Sequence, residues 1–284
     1  MSDPASRGPG SAARVAPIAI AAAAIAAALA WLASRAEPKP PAASAPPPAS
    51  APPPSPAPKV TAPATGANVT PEITTVAGDD AFQLRVFTFG VAGARFRVID
   101  QGMSPDLAGT LAKSGASLVI NGGFFDKSEA PEGLVISEGK EISARSDTLG
   151  GGVLAVAGER AALFRAEGYA PRADVAFAVQ ARPRLVVDAK RVIVKDDGLV
   201  APRTAICVRD DGRTMEVVIA RGERGGGPTL ALLADMLVSR GCQAALNLDG
   251  GPSTGVAWRG ADGPHDLAPR GPLRHAIAIW VAPD

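Results

Sequence analysis

The sequence predicts an α+β fold: a mixed, mostly antiparallel β-sheet core with a few packed helices, preceded by an N-terminal hydrophobic helix and a Pro-rich linker. Three observations carry this. Short apolar runs recur through residues 82–281. Two segments carry helix start and stop signals. No regular strand–helix–strand alternation, as a parallel sheet would need, runs through the chain.

The elements follow in order. Residues 1–14, with Arg7 and Arg14, suit a cytoplasmic N-terminus ahead of an apolar segment. Residues 15–33 carry no charge and would span roughly 28 Å as a helix, close to a bilayer core. Eleven of those 19 residues are Ala, so the run is weakly apolar. Two readings stay open, a transmembrane anchor and a cleaved signal peptide, the latter because Ser34-Arg35-Ala36 and Ala43-Ser44-Ala45 end in small residues. Both readings export the rest of the chain. Residues 34–69 form a Pro/Ala-rich linker, with Pro at 11 of the 21 positions 38–58. Proline removes backbone donors and fixes φ, so this tract reads as an extended, disordered spacer rather than a core. The folded domain is then 70–284.

Within the domain, apolar runs at 82–89, 96–99, 118–120, 134–136 and 153–156 predict strands, as do 175–179, 185–187, 192–194, 205–208 and 217–219. The runs at 246–249, 255–258 and 276–281 complete the set. Asp211-Gly212 and Asp188-Ala189-Lys190 read as hairpin connections. Ser104-Pro105-Asp106 predicts a helix start, with Ser104 the cap and Pro105 in the first turn, and Gly115 a stop. Residues 229–239 predict a second helix, since Leu230, Leu233, Ala234 and Leu237 fall on one stripe and Gly241 ends it.

Charge and composition exclude several functions. The first 69 residues hold five of the 29 Lys+Arg and two of the 28 Asp+Glu, leaving the domain 24 basic and 26 acidic side chains. A near-neutral domain lacks the clustered positive field of a nucleic-acid binder. With two His and two Cys, one chain cannot build a multi-His or four-Cys metal site. Cys207 and Cys242 either pair after export or stay as two small buried thiols.

Three segments concentrate chemistry. Asn121-Gly122-Gly123-Phe124-Phe125-Asp126 follows an apolar strand, and its glycines let backbone N–H groups approach a ligand. In Asn247-Leu248-Asp249-Gly250-Gly251-Pro252-Ser253-Thr254, alternation sends Leu246 and Leu248 to one face and Asn247 and Asp249 to the other. Two polar groups in line at the end of an apolar strand need partners, which points to a site. The loop Gly222-Glu223-Arg224-Gly225-Gly226-Gly227-Pro228-Thr229 could bring backbone N–H groups to an anion, though it lacks a P-loop ending. Gly251-Pro252-Ser253-Thr254-Gly255 also fits the G-x-S-x-G nucleophile pattern, with Asp262 or Asp266 and then His275 in hydrolase order. That motif requires a helix after the Ser, and Val256-Ala257-Trp258 reads as a strand.

Six blocks in order now resemble the phosphodiester glycosidase family, bacterial relatives of the enzyme that uncovers mannose 6-phosphate on lysosomal glycoproteins. They are Asn121–Phe125, Gly133–Ile136, Val179-Gln180 through Pro183-Arg184-Leu185-Val186, Pro202–Ile206, the helix at 229–239, and Ala245–Thr254. The sequence departs from the family pattern at Ala181-Arg182, where Ser-Gly is usual, at Cys207, where Gly is common, and at His275, where Asn is frequent. The resemblance implies cleavage of the glycosyl–phosphate bond of a sugar-1-phosphodiester. It marks Asn121, Gly122, Gly123, Gln180, Arg203, Thr204, Asn247, Asp249, Gly250 and Ser253 as site residues, with Gly251 and Thr254 in the same block.

The chemistry assigns roles within that set. A phosphodiester needs a cation, and a guanidinium can bind two of its oxygens, so Arg203 is the first candidate and Arg184 the second. Asp249 is the candidate to meet oxocarbenium-like charge or to activate water. Asn121 and Asn247 would orient sugar hydroxyls, His275 is the one imidazole candidate, and Asp126 or Glu132 is a candidate second carboxylate. No cofactor is required, although Asp249 with backbone carbonyls could hold calcium or magnesium. The expected partners are a sugar-phosphodiester substrate and, through residues 15–33, a membrane. The expected location is the cell envelope, either anchored in the inner membrane or released after signal cleavage. The competing readings are a non-catalytic envelope carbohydrate- or polymer-binding module and a Ser253 hydrolase.

Overall fold

A computed structural model describes residues 65–78 and 81–283. The predicted anchor or signal, and nearly all of the linker, lie outside the described residues. No helix among the described residues is long and apolar enough to cross a membrane.

Among the described residues, seventeen strands form three sheets in which every pairing is antiparallel. The first sheet runs β1 (Glu72–Val76), β2 (Phe82–Gly90), β13 (Thr214–Arg221), β12 (Arg203–Arg209), β14 (Ala244–Asn247), β10 (Arg184–Val187), β11 (Lys190–Arg191). The second runs β16 (Gly263–Leu267), β15 (Val256–Gly260), β4 (Leu118–Asn121), β17 (His275–Trp280), β3 (Arg95–Asp100). The third runs β6 (Lys140–Ser143), β5 (Val135–Ser137), β9 (Val175–Ala181), β7 (Gly152–Ala157), β8 (Arg160–Arg165). Two α-helices among the described residues, α1 (Leu107–Ser114) and α2 (Leu230–Ser239), complete an α+β architecture.

Burial explains why so many runs are apolar at every position. In β13, Met215, Val217 and Ile219 enter a central core shared by all three sheets, while Val218 and Ala220 pack under α2. In β4, Leu118 and Ile120 face that central core, and Val119 packs under α1. Strands covered on both faces lose the polar half of their alternation. Burying a Val, Leu, Ile or Phe side chain contributes roughly 1.5–3 kcal/mol relative to exposure, so the central layer dominates stability.

Several elements differ from the sequence expectation for identifiable reasons. The first helix is capped by Asp106, not Ser104: Asp106 accepts from the Gly109 N–H at 2.7 Å. Gly115 ends it at φ 69°, where glycine avoids the Cβ penalty. The second helix starts after Thr229, whose hydroxyl accepts from the Leu232 N–H. Residues 192–194 are not a strand. Val192 makes one ladder-like bond to Leu185, and Val194 is 96% exposed. Strands β1, β6, β8 and β16 escape sequence detection because most of their side chains face solvent. Both predicted hairpins form, with Asp188 and Ala189, and then Asp210 and Asp211, at positive φ.

The pair Cys207–Cys242 is a disulfide, sealed under α2 with both residues 0% exposed. It ties β12 to the segment that leads into β14.

Candidate functional site

One end of the first two sheets gathers the polar blocks. Antiparallel pairing puts the end of β4 beside the start of β17, so Asn121 sits opposite Ala276, next to His275. The same rule puts the end of β14 beside the start of β12, with Asn247 opposite Ala205. The two sheets are then stitched together where Asp249 N–H donates to the Gly122 carbonyl at 3.4 Å, while Leu248 N–H extends the β12–β14 pairing to the Thr204 carbonyl at 2.9 Å.

A cleft of about 400 Å³ opens there. Arg203, Asn247, Asp249 and Gly250 line it, joined by Phe124, Arg182, Pro183 and Leu230. The expected alternation holds. Leu246 and Leu248 are fully buried, whereas Asn247 and Asp249 reach the cleft.

Asp249 is half-buried, and burial raises its carboxyl above the usual carboxylate range. The Ser253 hydroxyl and the Gly250 N–H, at 2.9 Å from Oδ1, pull the other way. Arg203 is 8% exposed. Its Nε donates to the Pro228 carbonyl at 3.3 Å and its Nη2 to the Leu199 carbonyl at 2.7 Å. No carboxylate among the described residues forms a salt bridge with it, and burial pushes its pKa down. A buried guanidinium hydrogen-bonded only to carbonyls, with the Asp197 charge nearby but in no salt bridge with it, keeps its charge only partly compensated, an arrangement that favours an incoming anion. Asn247 donates through Nδ2 to the Arg182 and Leu248 carbonyls, at 2.9 and 2.7 Å. Its Oδ1 is buried without a donor among the described residues, so it can accept from a ligand hydroxyl.

Other predicted residues stand behind the cleft. Asn121 is 0% exposed. Its Nδ2 donates to the Asp249 carbonyl at 2.8 Å and the Gly122 carbonyl at 3.3 Å. Its Oδ1 accepts from the Thr204 hydroxyl at 2.7 Å and the Gly255 N–H at 3.2 Å. Gln180 is similarly engaged: Oε1 accepts from Leu134 and Ser146 N–H, and Nε2 donates to the Ser146 and Gly150 carbonyls. It clamps the loop at 146–150. Gly251 N–H donates to the Pro202 carbonyl at 2.8 Å, and the buried Thr254 hydroxyl has no partner among the described residues.

His275 is 4% exposed, and its Nε2 accepts from the Gly123 N–H at 3.0 Å. Burial, with the Arg274 charge second, lowers its pKa to about 4, so the ring is neutral near pH 7 and the accepting Nε2 leaves the proton on Nδ1. That Nδ1 has no partner among the described residues. Gly122 is fixed by this ring: a Cβ there would lie 2.2 Å from His275 Cδ2 and 2.8 Å from its carbonyl oxygen. Gly122→Ala is therefore expected to cost on the order of 1–3 kcal/mol, because overpacking forces backbone to move. Thermal unfolding checks this, and an unchanged Tm would show that the loop has room.

Three further candidates also lie off the cleft lining. Arg184, at the start of β10, is not part of it, whereas Arg182 is, stationed 5.8 Å from the Phe124 ring centroid. Two residues beyond Gln180, Arg182 had a signal in the strand period, but it sits past the end of β9, where that period stops applying. Asp126 is exposed and spends its carboxylate on Ser128 and Ala130 in a local turn, and Glu132 is not on the lining. Asp249 is thus the one carboxylate among the described lining residues. The segment after Ser253 is β15, not a helix, so the nucleophile-elbow context is missing. The one metal-capable trio among the described residues is Cys207, Glu216 and Cys242. The disulfide removes both sulfurs from it as thiolate ligands.

Comparison with known proteins adds to this geometry. A family model described as phosphodiester glycosidase matches residues 114–280. The Escherichia coli (strain K12) protein YigE is 26% identical over a 141-residue alignment, a match that covers 44% of this chain and 52% of YigE. The chain thus spans about half the length of that curated relative. The fold is similar to that of the zebrafish N-acetylglucosamine-1-phosphodiester alpha-N-acetylglucosaminidase catalytic domain auto-inhibited by its pro-peptide. That match has TM-score 0.58 and 14% identity over 76% of this chain and 83% of the other. It is also similar to a hypothetical protein from Synechocystis, with TM-score 0.57 and 17% identity over 75% of this chain and 62% of that one.

Proposed function

The chain belongs to the phosphodiester glycosidase family, and from that premise we propose that it hydrolyses the glycosyl–phosphate bond of a sugar-1-phosphodiester in the cell envelope. The observation that carries this reading is the shared cleft of Arg203, a buried guanidinium without a carboxylate partner among the described residues, and the half-buried Asp249. Arg203 would hold the phosphodiester, and Asn247 Oδ1 would accept a sugar hydroxyl. The Asp249 carboxylate would face the anomeric carbon, meeting positive charge as the C1–O(phosphate) bond breaks, or activating the water whose oxygen replaces it. The leaving group is a phosphomonoester, a weakly basic anion, so a second carboxylate acting as general acid is dispensable. This accords with a cleft lined by one carboxylate. Asn121 and His275 would be positioning residues, holding the Gly122-Gly123 loop and the Asp249 backbone in place.

Export is part of the proposal. Its support is the uncharged run at 15–33 together with the Cys207–Cys242 disulfide, which persists in an oxidising compartment.

The test is release of free sugar from a GlcNAc-1-phosphodiester and from its analogues with other sugars. The natural chain is expected to turn over at least one. Arg203→Gln is expected to lose roughly tenfold to a hundredfold in kcat/KM, the effect of removing a hydrogen bond to a charged group. A folded chain that binds these compounds without turnover would make it a binding module instead. Covalent labelling of Ser253 by a serine-directed probe would favour the hydrolase alternative.

A further inference from the structure

A second cleft, of about 980 Å³, shares no lining residue with the Asp249 cleft and borders the Gly251–Thr254 turn, to whose carbonyls Arg221 and the Arg270 N–H donate. Its described lining includes Arg85, Arg221, Arg224 and Arg270 against one carboxylate, Glu223. Four cations in one cleft stand out in a domain whose charges otherwise nearly cancel. None of the four forms a salt bridge among the described residues. Arg221, half-buried at the end of β13, donates to the Thr254 carbonyl at 3.1 Å and the Ala268 carbonyl at 2.6 Å. Arg270 donates to the Glu223 carbonyl, and Arg85 to Gln83 Oε1. Arg224 is exposed, with no hydrogen bond among the described residues. Burial depresses the Arg221 pKa, and the charges of Arg270 and Arg85 depress it further.

Like charges crowded in a partly desolvated cleft repel, and carbonyl partners do not neutralise them. The glycine-rich loop at 222–227 forms one wall. Gly225 sits at φ 86°, and a Cβ there would come within 2.7 Å of Arg270 Nη1, so the bare backbone lets the guanidinium approach. This is the loop whose composition suggested an anion, and the Asp249 cleft does not use its glycines.

We propose that this cleft is a binding site, separate from the Asp249 cleft, for an anion carrying two or more neighbouring phosphate groups. A tetrahedral phosphate can accept from guanidiniums on several sides, whereas a planar carboxylate engages one fork at a time. Four guanidiniums exceed what one phosphate neutralises, hence the need for neighbouring groups. Such an anion could be a free oligophosphate or the next phosphodiester along a polymeric substrate. The shared chemistry is the same.

Calorimetric titration of the full chain with inorganic phosphate, pyrophosphate and tripolyphosphate tests this, in the Arg182→Gln/Arg203→Gln background to remove the other cleft's two cations. Tripolyphosphate is expected to bind more tightly than pyrophosphate, and both more tightly than phosphate. Arg85→Gln with Arg224→Gln is expected to weaken tripolyphosphate roughly tenfold or more, as is Arg270→Gln alone should the pair fail to fold. Binding of a poly(glycosyl phosphate) that the same variants weaken equally would assign the site to the substrate polymer. Binding of oligophosphate alone would assign it to a free anion. Binding retained in the arginine variants, or citrate binding as tightly as tripolyphosphate, overturns the proposal. So does an absence of binding by the chain with Asp79 and Asp80 intact, including binding that appears only in Asp79→Asn/Asp80→Asn. Those two carboxylates lie outside the described residues, between the lining residues Gly78 and Ala81. None of these readouts needs turnover, so failure here and failure of the glycosidase reading are distinguishable.

Discussion

Asp249→Asn is expected to remove about 10²–10⁴-fold of sugar-releasing activity while leaving substrate binding within a fewfold. The amide keeps the shape of the carboxylate and can still accept from Gly250 N–H, 2.9 Å away in the natural chain. It cannot carry the negative charge that a developing oxocarbenium ion requires. KM should therefore move little and kcat should fall. A fall in binding with kcat intact would mean that Asp249 only grips the ligand. Burial raises the Asp249 pKa, so the rising acid limb of the pH–rate profile should lie above the usual carboxylate range. In Asp249→Asn that limb should vanish with the activity.

The same shift has a stability consequence of opposite sense. The folded chain holds the Asp249 proton more tightly than the unfolded chain, whose value is near 3.8. Stability then falls as pH climbs from below 3.8 through the raised folded value. Above that it stays lower by a constant amount. Asp249→Asn escapes this loss. Its Tm should match the natural chain's at acid pH and exceed it at neutral pH, the pattern of a site residue held at a cost in stability. A variant less stable at pH 7 than at pH 3, relative to the natural chain, would refute the burial effect.

How much of this was legible in the residues depends on which forces act locally. Asn247 and Asp249 reach the cleft because period-two alternation is a local property, and Leu246 and Leu248 on the other face fix its phase. The apolar runs of β4, β12, β13 and β17 were legible because both their faces are buried. Strands such as β1 and β16 were not, since their pairing comes from backbone hydrogen bonds that side chains do not announce. The opposite error, at 192–194, has the same root: apolar side chains alone do not create a neighbouring strand. The places of Asn121 and His275 behind the cleft were not legible, because a polar side chain at a strand end looks alike whether its partners are protein groups or ligand. Arg182, which the sequence reading did not nominate, lines the cleft in place of Arg184 from just past the end of β9, where strand periodicity no longer applies.

Breaking the Cys207–Cys242 bond is expected to cost about 3–4 kcal/mol, on the order of 10 °C in Tm. The figure follows from the 35-residue separation, which sets how much freedom the crosslink removes from the unfolded chain. The enclosed stretch holds β13 and α2 and returns the chain to β14, so it contains long-range pairings that the crosslink shortens in the unfolded state. Both residues are 0% exposed, so dithiothreitol should act only once the chain opens, and the reduced form is best made in denaturant and refolded. Cys207→Ala/Cys242→Ala removes the bond together with two buried sulfurs, and adds a cavity cost that reduction does not. If the crosslink carries the effect, the reduced natural chain and the double variant should both lose stability, the variant somewhat more. Were only the variant destabilised, the sulfur volume rather than the bond would be responsible. At temperatures where either form stays folded, kcat should be close to that of the natural chain. Asp249 and Arg203 are brought together by the β12–β14 ladder, where Ala205 faces Asn247, and the bond leaves that ladder toward its other end, from Cys207, which faces Ala245, to Cys242, two residues before Ala244. Loss of kcat in fully folded reduced protein would instead show that the staple holds the cleft itself.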